Sequence, residues 1–238
     1  RGITIFSKQA RLSTPRLDIT LVDTPGHVDF AAEAERSLSI LDCAILVISG
    51  TDGVQAHTVT LWRLLERYHV PTFLFINKMD LAGADRKKLM EQLQRELGTG
   101  FVDFTADFDE IAENCAMCDE ALLESYLETG TVSEGNIRGQ IGRRKVFPCC
   151  FGSALKLKGV EEFLDLLDTY APETTYADTF GAKVYKISRD PQGNRLSWLK
   201  ITGGSLKNRE TIRYVNQKGE EIEEKIIQLR LYSGEKFT

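Results

Sequence analysis

No apolar run in these 238 residues is long enough to cross a bilayer; the longest, Cys43-Ala44-Ile45-Leu46-Val47-Ile48, has the length of a buried strand. No stretch has the layout of a secretory leader, so a cytoplasmic location is the expectation. Cysteine is sparse, five in all, which excludes a disulfide-stapled scaffold. Positive charge is not in excess: 30 Lys and Arg face 35 Asp and Glu, for a net charge of -5. That balance excludes an overall electrostatic grip on nucleic acid and leaves room only for local basic patches. The hydrophobic fraction of 42% and charged fraction of 27% describe a folded globular chain, long enough for one large domain and part of a second.

Two further scarcities bear on chemistry. Cys115-Ala116-Met117-Cys118 is a C-x-x-C pair and Cys149-Cys150 lies further on. Adjacent residues of a strand point to opposite faces, so Cys149 and Cys150 make a poor ligand pair, and buried thiols are expected rather than zinc. The Gly-rich phosphate loop G-x-x-x-x-G-K-[ST] occurs nowhere, and the chain opens on Arg1 rather than Met. The expectation is an excerpt with more chain on both sides.

What is present is organised around Leu21-Val22-Asp23-Thr24-Pro25-Gly26-His27. Asp18 to Val22 alternates polar and apolar, the signature of a strand, and Pro25-Gly26 must end it. A carboxylate, Asp23, is thereby held at the carboxyl end of a strand, the edge where open α/β sheets bind ligands. Gly26 offers a bare N–H to an anion, and the imidazole of His27 follows. An acid able to hold Mg²⁺ through water, a donor for a terminal phosphate and an adjacent imidazole form a phosphate-hydrolysis constellation. Upstream, Ile5 to Leu12 alternates too, and Thr14-Pro15-Arg16 turns it into the Asp23 strand as a hairpin. That brings Thr4, whose hydroxyl is a candidate Mg²⁺ ligand, into the same half of the molecule.

A second station follows the buried strand Thr72 to Ile76: Asn77-Lys78-Met79-Asp80. Guanine presents N1–H and an N2 amine side by side, and one carboxylate accepts both, so Asp80 can select guanine over adenine. Asn77 can hydrogen-bond a ring nitrogen and tie loops together, and Lys78 can lay its stem along the base. A third station, Gly152-Ser153-Ala154-Leu155, follows Val146 to Phe151, a strand in which Pro148 implies an edge position or an irregular ladder. The Ala154 N–H is a candidate donor to guanine O6. All three stations are expected at one sheet edge.

Between the stations, helical periods run through 29–41, 58–68, 83–97 and 159–167. Residues 99–145 read as an irregular insertion with a short helix near 118–127. Arg138, Arg143, Arg144 and Lys145 form the one basic cluster, read as a solvated face or as a phosphate-backbone contact. From Gly181 onward short alternating stretches, 182–188, 196–202, 211–215 and 221–231, divided by Gly-rich turns, predict a β domain.

Taken together, R-G-I-T, D-T-P-G-H, N-K-M-D and G-S-A-L in this order resemble a translational GTPase of the elongation factor G-like group. The texture of Arg36 to Asp42 and of Asp52 to Ala56 is most similar to the tetracycline ribosomal protection proteins; elongation factor G and release factor three share the motifs. The resemblance implies an α/β fold: a P-loop GTPase-type, mostly parallel sheet with flanking helices, followed by part of an all-β barrel. It places a GTP-binding domain at 1–177, with an insertion at about 99–145, and the start of the barrel at 178–238. It implies GTP/GDP and Mg²⁺ as cofactors and the ribosome, its RNA and proteins, as partner, with no membrane and a monomer off the ribosome. By motif, Thr4 and Asp23 hold Mg²⁺ and Gly26 senses the γ-phosphate. His27 orients the attacking water. Asn77, Lys78, Asp80, Ser153, Ala154 and Leu155 read guanine. A truncated, non-catalytic ribosome-binding relative stays open as the alternative.

Overall fold

The computed structural model describes residues 8–24, 31–215, 218–234 and 236–237. They fall into two compact units: Ser13–Asp18 with Leu41–Glu173, and the remaining described residues. The described residues open with β1 (Lys8–Ser13), β2 (Asp18–Asp23) and helix α1 (Ala31–Leu38). It then enters a parallel sheet made of β3 (Ala44–Ser49), β4 (Thr72–Asn77), β5 (Phe101–Asp103) and β6 (Phe147–Phe151), in the spatial order β3-β4-β6-β5. Every pairing in that sheet is parallel, from Ala44↔Thr72 to Phe101↔Phe147.

Period-two patterning decides how this sheet is buried. Phe73 and Phe75 of β4 enter one core with Ile137, Ile141, Val146 and Phe163, while Leu74 and Ile76 enter another with Ile48, Trp62, Leu89 and Leu93. A strand covered on both faces must be apolar throughout, as Thr72–Asn77 nearly is. The helices supply the covers: α2 (Ala56–Arg67) and α3 (Arg86–Leu97) carry Trp62, Leu89 and Leu93. The opposite face takes α4 (Phe108–Ala116), α5 (Glu120–Thr129), α6 (Glu134–Gly142) and α7 (Val160–Tyr170). Asp85, Asp119 and Ser133 each accept an N–H of the following helix's first turn, satisfying donors that otherwise lack partners.

Four expectations are corrected. Residues 99–145 are not irregular: they hold a strand of the sheet and three helices, and Ile137 and Ile141 are fully buried. Their periodicity is hidden because Gly, Asn and Gln occupy five of the nine positions of α6. Second, of the two readings of Pro148 the edge position fails, since β6 lies between β4 and β5, and the irregular ladder holds. Pro148 is tolerated there because the register with β4 begins only at Leu74↔Cys149, so no ladder bond to that side is forfeited.

Third, β2 pairs with β1 in a two-stranded sheet of its own and is not one of the four hydrogen-bonded strands of the parallel sheet. The alternating D-I-T-L-V-D of β2 suits a ribbon wetted on one face, whereas β3 to β6 need cover on both. Fourth, most of the basic cluster is consumed internally. Arg138 donates to Thr169 O at 2.7 Å, and Lys145 pairs with Asp119. Arg144 lies over Trp62 and Phe147 at 4.9 and 5.0 Å while donating to Val70 O and Thr72 Oγ1. A guanidinium stacked on two rings and bonded to a strand's start is a staple, not a phosphate contact.

The five cysteines are free. Burial pushes the Cys115 and Cys150 thiols up to about 12 and the Cys149 thiol well above its ordinary range, which removes thiolate character. Among the described residues no three His, Cys, Asp or Glu side chains group as metal ligands, and no helix is long and apolar enough to cross a membrane.

The second unit is antiparallel. β7 (Gly181–Arg189) pairs with β8 (Arg195–Gly203), with a bulge between Val184 and Lys186. β9 (Thr211–Val215) pairs with β10 (Glu221–Lys225), and β11 (Tyr232–Ser233) with β12 (Lys236–Phe237). The stretch expected as one strand over 221–231 stops at Lys225, after which Leu229 N–H donates to Asn208 Oδ1. At the β7–β8 turn Asp190 accepts the N–H groups of Gln192 and Asn194 and pairs with Arg230 at 3.2 Å. Within this unit, Lys183 donates to Ser39 O and Lys200 to Ile40 O, two cations at the negative end of α1.

Ile141 makes the packing of α6 measurable. Ile141→Ala deletes a fully buried side chain, and the expected loss is about 2–5 kcal/mol in urea unfolding. A loss of under ~1 kcal/mol would place α6 outside the core.

Candidate functional site

The site grows from the carboxyl ends of β3, β4 and β6. Gly50 N–H, just past β3, donates to Asn77 O at 2.7 Å; Gly152 N–H, just past β6, donates to Ile76 O at 2.9 Å, and Met79 N–H returns to Gly152 O at 3.0 Å. These bonds stitch the loop after β4 to both neighbours. The approach is so close that a Cβ on Gly152 would meet Lys158 O at 2.3 Å and the Phe75 ring at 2.7 Å. Only glycine fits there.

Asn77 ties the N-K-M-D loop to the G-S-A-L turn. Its Oδ1 accepts the N–H of Lys78 at 2.8 Å and that of Ala154 at 2.9 Å. Lys78 is held at φ 65, a left-handed conformation that costs a non-glycine residue about 1–2 kcal/mol. Backbone strain of this kind marks places where surrounding bonds over-determine the chain. It turns the loop so that Asp80 comes beside the turn at 153–156.

That turn is a short 3-10 helix, Ala154–Lys156, closed by Leu157 at φ 56 and by the reciprocal pair Ser153 N–H to Lys158 O (2.9 Å) and Lys158 N–H to Ser153 O (3.1 Å). Ser153 is 3% exposed. The Asp80 side chain, 19% exposed, meets the Lys156 ammonium at 2.8 Å. Hydrogen bonds from Lys156 and then from the Ser153 hydroxyl draw the Asp80 carboxyl down to about 2. Leu155, 88% exposed, stands beside it.

The structure thus brings together Asn77, Lys78, Asp80, Ser153, Ala154 and Leu155 from two segments more than 70 positions apart. The Ala154 N–H, the candidate donor to guanine O6, donates to Asn77 Oδ1 in this structure. Lys156 was missed by sequence reasoning: it follows the motif, and a lone lysine in a turn carries no signal of its own. Asp23 ends β2 in the other unit and is exposed. Thr4, Gly26 and His27 lie outside the described residues.

Comparison with known proteins decides the family. Residues 1–173 match the elongation factor Tu GTP binding domain. The chain belongs to that family of translational GTPases. It is 31% identical over 261 aligned positions to the tetracycline resistance protein TetP of Clostridium perfringens, covering 98% of this chain and 39% of that protein. A crystal structure of a Thermus thermophilus protein superposes with a TM-score of 0.81 at 22% identity, covering 99% of this chain and 42% of the other, which shows a shared fold. This GTP-binding-family chain therefore spans about two fifths of the length of the proteins it matches.

The environment of Asp80 has a pH signature. A carboxyl held below its ordinary value lends stability that is fully present above the unfolded-state value of about 4 and is lost as pH falls through the folded value. The carboxyl carbon resonance of Asp80 should therefore titrate with a midpoint near 2. A midpoint near ~4 would mean that Lys156 and Ser153 do not hold it.

Proposed function

We propose that this chain is the nucleotide-binding portion of a ribosome-stimulated GTPase, with Asn77, Lys78, Asp80 and the Ser153-Ala154-Leu155 turn reading guanine. One observation carries the reading: the Asn77 side chain bonds the 153–155 turn and sets the Asp80 carboxylate beside it. The donor set fits the base. A carboxylate accepts N1–H and the N2 amine together, the Asn77 amide nitrogen can donate to a ring nitrogen, and the exposed Leu155 and the Lys78 stem offer apolar cover.

The catalytic half of the proposal rests on motif. Asp23, exposed at a strand terminus, fits a cation that keeps most of its own water and takes one or two carboxylates, as Mg²⁺ does, with Thr4 as a second ligand. Mg²⁺ supplies neutralisation of the phosphate charge. By motif, the Gly26 N–H would donate to the terminal phosphate and His27 would orient the attacking water. The larger protein then couples turnover to the ribosome, in the cytoplasm, as a monomer between encounters. Similarity to the tetracycline resistance protein favours ribosomal protection against that drug over the elongation and release roles.

In the complete protein, Asp80→Asn should weaken GTP at least ~10-fold and favour xanthosine triphosphate, whose extra carbonyl accepts from an amide. Retained GTP preference would end the base-reading assignment. His27→Ala should leave GTP affinity within about twofold while reducing ribosome-stimulated turnover by ~10² or more, the usual scale for a group acting on the attacking water. Undiminished turnover would remove His27 from the mechanism.

A further inference from the structure

Asp80 already has a cationic partner. Its Oδ2 lies 2.8 Å from the Lys156 ammonium, a distance at which the lone pairs facing that ammonium are taken. The base-reading role proposed above needs both carboxylate oxygens, one for N1–H and one for the N2 amine. Lys156 and guanine are therefore rivals for the same acceptor.

We propose that Lys156 is a built-in competitor of guanine: its ammonium occupies the Asp80 carboxylate and must swing away for the base to enter. The inference rests on the base-reading assignment and adds a regulating residue to it.

Three observations favour rivalry over support. The Asp80 carboxyl is ionised near neutrality with Lys156 or without it, because even the ordinary carboxylate value lies far below pH 7. Lys156 is thus not needed to charge the acceptor. The carboxylate also keeps a second partner when Lys156 departs, the hydroxyl of the buried Ser153. The Lys156 side chain is 62% exposed on a three-residue turn, so it can rotate into water at low cost. Its departure is easy, and its sequence neighbours Leu155 and Leu157 are 88% and 75% exposed. Between nucleotides the lysine then keeps the Asp80 carboxylate paired, and it raises the threshold that a base must pass.

The test uses the whole 238-residue chain with GMP as probe, AMP as control, and affinities from nuclear magnetic resonance titration. Lys156→Ala and Lys156→Gln should each bind GMP about two- to fivefold tighter than the parent, the range of a partly exposed ion pair. Their advantage should shrink toward unity between about 50 mM and about 500 mM salt, because screening breaks the parental pair and leaves nothing to gain. The Gln variant keeps the stem, so agreement between the two variants isolates charge from packing.

Equal or weaker GMP binding by both variants, with Asp80→Asn still abolishing it, would overturn the competition and leave the base-reading assignment standing. GMP binding indifferent to Asp80→Asn, or no preference for GMP over AMP, would overturn the base-reading assignment and the competition with it.

Discussion

The structure around the site depends on one side-chain oxygen. Asn77 Oδ1 takes two backbone N–H groups, its neighbour's and that of Ala154, and so joins the end of β4 to the turn after β6. Besides it, the two loops are linked by backbone bonds at their bases, such as Gly152 N–H to Ile76 O, and by the Asp80–Lys156 ion pair. With it, the strained Lys78 and the 3-10 turn hold each other, and the Asp80 carboxylate falls between them. A short amide suits this role: it reaches both donors from a strand end, and its nitrogen remains able to donate outward.

The sheet makes that bond possible. Parallel strands carry all their carboxyl ends to one edge, and here three strands deliver Gly50, Asn77 and Gly152 to it. Burial on both faces, by Trp62 and Leu93 on one side and Ile137 and Phe163 on the other, fixes the strand ends in place. The glycine at 152 allows contact too close for any side chain. Core, edge and site form one chain of dependence, from apolar periodicity to the placement of a single carboxylate.

Much of this was legible in the sequence. The apolar run 72–76 could only be a doubly covered strand, and N-K-M-D and G-S-A-L fell where strands had to end. Regions where the chain departs from binary pattern were not legible. Helix α6 is built on E-G-N-I-R-G-Q-I-G, whose two isoleucines are too few to display a period although both are fully buried. Pro148 left an edge and an irregular ladder both open, because its position in the ladder, not its presence, decides whether a bond is lost. The arginine cluster read as surface charge because stacking on Trp62 and Phe147 is a tertiary event. Lys156 was invisible because its partner lies 76 positions upstream.

The central claim is that the Asn77–Asp80–Ser153 corner grips a guanine ring. A crystal structure of the complete protein with GDP tests it most directly. The account predicts the ring against the turn at 153–155, with both Asp80 oxygens on its N1–H and N2 amine and Lys156 turned into solvent. A ring bound elsewhere, with the Lys156–Asp80 pair intact, would contradict it.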